Sequence, residues 1–502
     1  MGRAAEVSGL SERHAFTGPA PAQKLTRLGR LCGMLTHVGR LGAAAMLGAL
    51  SAATPTSAEG DLRLVDAVKA RDLPAVERLL GAGVPVDSAT PDGATALHWA
   101  AHRDGLEMAS RLLRAGADPD VINELGVSPL VLACENASAA MVGQLLAHGA
   151  DPNQAQPTGV TPLMACARTG SAAAVEALLA SGATVDRRES VSGQTALMWA
   201  VAERHADVVS HLIAADADVG GGSARGFTPL MFAAQQGDEA LATTLLAAGA
   251  DVDRANNGGS AALLVATESG HLEMVRLLLE AGADRDAAGT GRTALHGAVQ
   301  HERPDIVTLL LDYGADVDAR LTARLPKFAG DLASNTGPGS MVGATPFWLA
   351  TKFTDVDLMR LFRDRGADTT LAADDGTTPL MVAAGIMSLE GYDRYGRLVF
   401  ADDTARRREH ELDTVELAFS LGGDVAVVNE HGQTAMHGAA YTGNDAVVRF
   451  LFERGAVVDV ADLTGLTPLG ITEGIWISGT FLERPTTEVL LRELGAGRGV
   501  VQ

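Results

Sequence analysis

His98 and His102 lie one helical turn apart in the string TALHWAAH, so one helix face could present both to a metal ion. No third ligand stands at a useful spacing, and no metal site is assigned. The string EHELD, from Glu409 to Asp413, carries one histidine where a zinc-protease helix needs two. It reads as a solvated helix face following Arg406, Arg407 and Arg408. Gly220 to Ser223 (GGGS) precedes no Lys-Ser/Thr pair and is a loop rather than a phosphate cradle. Cys134 and Cys166 are expected as buried free thiols, because on neighbouring packed helices their Cα atoms would stand about 10 Å apart, beyond disulfide reach. There is no serine elbow, kinase signature or cysteine–histidine nucleophile arrangement. No catalytic residue and no cofactor is therefore expected.

The elements that carry these side chains recur. Related strings begin at Thr95 (TALHWA), Ser128 (SPLVLA), Thr161 (TPLMAC), Thr195 (TALMWA), Thr228 (TPLMFA), Ala261 (AALLVA) and Thr293 (TALHGA), with spacings of 33, 33, 34, 33, 33 and 32. They resume at Thr345, Thr378, Thr434 and Thr467. Thr at the first position can cap a helix, and Pro at the next, as in Pro162 or Pro229, is preorganised for a first turn. A second apolar period follows, in which Val275, Leu278 and Leu279 make one stripe, and Gly282 supplies a left-handed stop. Linkers such as Asn256 to Gly259 (NNGG) suit a tight turn. Alanines such as Ala233 and Ala234 let helices approach closely, which lets a chain with 4% aromatic residues close a core.

This period and these strings resemble the ankyrin repeat, over roughly residues 59–496. The resemblance implies an all-α fold: an α-solenoid of about twelve stacked helix-turn-helix repeats with β-hairpin-like fingers. It implies an intramolecular hydrogen-bonding role for His98, His296 and His437, the fourth residues of their strings. It also implies partner binding on the concave surface made by the fingers and first helices. By repeat position that surface holds His102, Arg103, Glu135, Asn136, Arg168, Thr169, Gln235, Gln236, Glu268, Ser269, Lys352, Phe353, Tyr441 and Thr442. These vary within a constant frame, and Gln236, Lys352 and Phe353 are expected to face solvent.

Three insertions break the period, near 320–343, 385–408 and 475–485. The last two enter the turn between paired helices and offer Tyr392, Tyr395, Trp476 and Phe481 as candidates for a second, loop-built edge. Asp393, Arg394, Asp402 and Asp403 cluster there too, leaving an enzyme or a ligand-binding protein as the alternative reading.

Residues 1–58 hold six basic and two acidic residues and end in a 13-residue uncharged run, Leu41 to Ala53, then TPTSA. This reads as an N-terminal extension and secretory signal peptide cleaved after Ala58, with Met34 as a possible start, leaving 59–502 as the solenoid. With 40 basic against 62 acidic residues the net charge is -22, which disfavours nucleic acid and anionic membranes as partners. The expectation is a monomeric, exported, non-catalytic scaffold of the bacterial type, periplasmic or secreted, that binds a partner protein. A secreted effector acting on a host protein would have the same solenoid.

Overall fold

The computed structural model describes residues 61–323, 341–387, 401–477 and 480–497; for 401–409, 475–477 and 480–482 the backbone alone is described. Among these residues, twenty-four helices follow one another from Arg63–Lys69 to Pro485–Glu493, in twelve successive pairs. Helix A of a pair opens where Thr161, Thr195 or Thr228 accepts the backbone N–H three residues on, with Pro162 and Pro229 in the first turn. Helix B is an amphipathic nine-residue segment such as Leu272–Glu280, which buries Met274, Val275, Leu278 and Leu279. Gly282 then reverses the chain at φ 90°. No repeat has a core of its own; Leu, Val, Met and Ala from successive pairs form one apolar column.

Two sets of hydrogen bonds register the stack. Finger backbones are bonded across repeats, as in Glu124 N–H to Asp92 O and Ser190 N–H to Thr158 O. Beside them runs a ladder of carboxylates. The backbone N–H of Asp118, Asp151, Asp284 and Asp316 donates to Asp87, Asp120, Asp253 and Asp286 of the preceding repeat. Asp368 donates to Asp318 at 3.0 Å across 50 residues of sequence, so the stack continues past the insertion near 320–343.

In four repeats the fourth residue of the helix A string ties the finger to the next repeat. His98, His296 and His437 accept at Nδ1 from their own capping threonine N–H, which places the ring proton on Nε2. Nε2 then donates to Val127 O, Ala344 O and Leu466 O, each just before the next helix A, at 3.0, 3.2 and 3.3 Å. Trp348 holds the same position and donates through Nε1 to Thr377 O at 2.9 Å.

Two expectations need correction. Cys134 and Cys166 are joined by a disulfide, with Cα atoms 4.4 Å apart and both side chains fully buried. The error lay in using an axis spacing as an atom spacing: helices about 9 Å apart, each with a Cα radius of about 2.3 Å, bring facing Cα atoms to about 4.4 Å. The EHELD string is not wholly solvated either. It lies within the helix Ala401–Ser420, where Glu411 is buried and accepts from Asn444 Nδ2 at 3.0 Å. The insertion near 475–485 forms a hairpin of β1 (Ile475–Ile477) and β2 (Thr480–Leu482) that pairs Trp476 with Phe481. Tyr392 and Tyr395 lie outside the described residues, as does the cleavage site.

Candidate interaction surface

The C-terminal turns of helices A leave carbonyls with no partner in their own helix. At these turns stand the variable residues, and four of them reach back to carbonyls of the preceding repeat. Arg103 donates to Lys69 O (2.7 Å), Asn136 to His102 O (2.7 Å) and Ala101 O (3.0 Å), Thr169 to Cys134 O (2.8 Å) and Gln236 to Ala202 O (2.7 Å). Lys352 Nζ instead reaches forward to Met387 O at 2.8 Å. These side chains are clasps between repeats as well as surface. Gln236 is therefore held rather than splayed into solvent, because an orphan carbonyl one layer away offers its amide a better partner than water.

The remaining positions divide by burial. Phe353 and Tyr441 are half-buried and pack against the core, so Phe353 is not the solvent-facing side chain expected. Thr442 is 4% exposed, with its hydroxyl on Ala439 O, and offers no surface group. Glu268 accepts from Arg292 Nε at 3.1 Å. Glu135 lies 3.5 Å from Arg168; burial pushes its carboxyl up, and the guanidinium only partly offsets this. His102 is held below the usual imidazole range by burial and by the Arg103 charge. Gln235 and Ser269 are half-buried at the same face.

The fifth residue of the helix A string also contributes to this face. Trp99 lies beneath Lys69 Nζ (4.5 Å to the ring centroid) and Arg103 (5.6 Å), with His102 edge-on at 6.1 Å. Arg168 stacks on Trp199 at 5.3 Å, and Phe227 of a finger meets Phe232 at 4.9 Å. The sequence reading missed these rings because they sit inside the recurring strings, where an aromatic passes for frame. Their signal is that the fifth residue varies (Trp99, Leu132, Ala165, Trp199, Phe232) while the third is Leu in each of those strings.

No group of three or more His, Cys, Asp or Glu among the described residues is placed to hold a metal ion. None of their helices is long and apolar enough to cross a membrane.

Fold and surface together define a helix-pair repeat protein whose stacked helix ends and fingers form one long polar and aromatic face. The family model for ankyrin repeats in three copies matches residues 64–156, 144–223, 163–256 and 230–320, and that for the single ankyrin repeat matches 431–463. These matches cover more than half of the chain, which belongs to the ankyrin-repeat family. Its repeats indicate a protein–protein interaction scaffold. No curated protein matches the chain.

Proposed function

We propose that this protein is an exported, non-catalytic scaffold that holds a partner protein against its helix A face and fingers, working in the periplasm or outside the cell. The observation that carries the binding reading is the contrast at each repeat between a constant buried frame and side chains at the helix A ends that differ from layer to layer. Export has two supports. Residues 1–58 are ordered as basic, apolar and small-residue zones, and the buried Cys134–Cys166 bond belongs to an oxidising compartment. With Cys32 removed, every cysteine of the mature chain is paired.

Affinity capture from envelope extracts tests the binding reading. Gln235→Arg with Ser269→Arg places two new charges on the face without removing a hydrogen bond described above. The captured partner should be lost while the unfolding midpoint is unchanged. Retention of the partner by this variant would move the site off this part of the face. Mass spectrometry of protein from the native host should find a mature chain starting at Glu59; intact residues 1–58 on cytoplasmic protein would refute export.

A further inference from the structure

At four seams the N-cap side chain of helix B (His205, His271, Arg303, Arg484) fills the space behind the preceding repeat, over Gly170, Gly237, Gly270 and Gly443. His205 Nε2 donates to Arg168 O and His271 Nε2 to Gln235 O, both at 3.0 Å, and Arg484 Nε donates to Tyr441 O at 3.2 Å. These side chains cover the preceding A–B turn so closely that the turn must be glycine. A Cβ at Gly170 or Gly237 would lie 2.6 Å from the imidazole of His205 or His271.

The first seam reverses this arrangement. Gly105 stands where the histidines stand, with the same backbone (φ -83°, ψ 72°, against -95°, 81° at His205). The turn residue is Arg71, held at φ 58°. With no helix B side chain available, Arg103 takes over the bond to Lys69 O. The vacated space is a hollow of about 320 Å³, walled by Val68, Leu73, Trp99, Leu106 and Met108 and rimmed by Arg71 and Arg103. Trp99 is 9% exposed, and its indole N–H has no partner.

Charge says what would fill it. Lys69, Arg71 and Arg103 gather here in a chain of net charge -22, and among the described residues none of the three is paired with a carboxylate. Of the acids on the wall, Glu107 is already paired with Arg111, leaving Asp104. A long polyanion would meet the repulsion of the whole chain, whereas a short segment feels only charges within a Debye length of about 8–10 Å.

We propose that the hollow beside Gly105 receives one large apolar side chain of an acidic peptide segment, whose flanking carboxylates lie on Lys69, Arg71 and Arg103. This deepens the scaffold reading and rests on it, by naming the partner's chemistry and one end of its footprint.

The test is fluorescence anisotropy of the full chain with a fluorescein-labelled hexapeptide, Glu-Asp-Leu-Phe-Asp-Glu. The double change Arg71→Gly with Gly105→His rebuilds the seam in the form that Gly170 and His205 already take, so folding is preserved and the hollow is filled. Saturable binding should weaken at least tenfold in that variant. It should weaken at least tenfold too for the peptide with Gln and Asn in place of its acids, and with Lys69→Gln plus Arg103→Gln, whose Lys69 O bond loss is monitored by the unfolding midpoint. Equal binding by the filled-seam variant, no saturable binding to the parent chain, or binding to phosphatidylserine vesicles in place of the peptide would overturn the proposal. Failure here with partner capture still sensitive to the Gln235 and Ser269 changes removes this site and leaves the scaffold reading standing.

Discussion

The Cys134–Cys166 bond makes a quantitative demand. It ties helix A of one repeat to helix A of the next, across a sequence separation of 32. Closing that loop in the unfolded chain removes about 12.4 cal/mol/K, or about 3.7 kcal/mol at 25 °C, by the chain-entropy relation. Both side chains are fully buried, so a reductant acts only on opened protein; reduction therefore requires unfolding and refolding with reductant present. Oxidised and reduced chains are then compared in urea titrations followed by far-ultraviolet circular dichroism. The oxidised form should be more stable by about 2–4 kcal/mol. A chain with Cys134→Ala and Cys166→Ala should behave like the reduced form and ignore reductant. Superimposed titrations, or alkylation of both cysteines in unreduced denatured protein, would refute the reasoning and return the pair to free thiols.

Three further expectations follow. Burial lowers His296 from 6.5 to about 4. Between those values the unfolded state binds a proton that the folded state refuses, so stability present above pH 6.5 is lost as pH falls towards 4, by about 3 kcal/mol. His98 and His437 are lowered for the same reason and add to the slope; urea midpoints at pH 7.5 and 4.5 measure it, and His296→Gln should flatten it. Leu278→Ala, at a fully buried site between layers, should cost about 2–5 kcal/mol in the same titrations. Gln236→Ala should cost about 0.5–1.5 kcal/mol, because it strips the Ala202 carbonyl of its clasp; a loss below that range would show the residue to be free surface.

Element type and order were legible because each repeat writes its own punctuation: Thr161 caps, Pro162 opens, Gly282 stops. These are local signals whose physics needs no neighbour. What failed involved two repeats at once. Asn136, Thr169 and Gln236 are residue types that satisfy themselves in water as readily as on a carbonyl, so their roles as clasps are fixed by where the preceding helix ends. The disulfide depended on which faces of two helices meet, a fact about rotation that a mean spacing omits. The hollow is a missing side chain, and Gly105 is eloquent only when set in register with His205 and His271 and with the glycines those rings demand.

The connections between repeats lean one way. More of the donors belong to the later repeat than to the earlier one, as in Asp118 to Asp87, Arg103 to Lys69, His205 to Arg168 and Arg484 to Tyr441, while His98, Trp348 and Lys352 donate forward. A chain that emerges N-terminus first, from a ribosome or a translocation pore, thus ends in a repeat several of whose acceptors are still empty. At about 5–20 residues per second, each 33-residue unit waits roughly 2–7 s for the segment that completes it. A product cut short at any repeat carries that open end permanently. Chains cut short at the C-terminal side should accordingly expose more unmatched acceptors than chains shortened from the front.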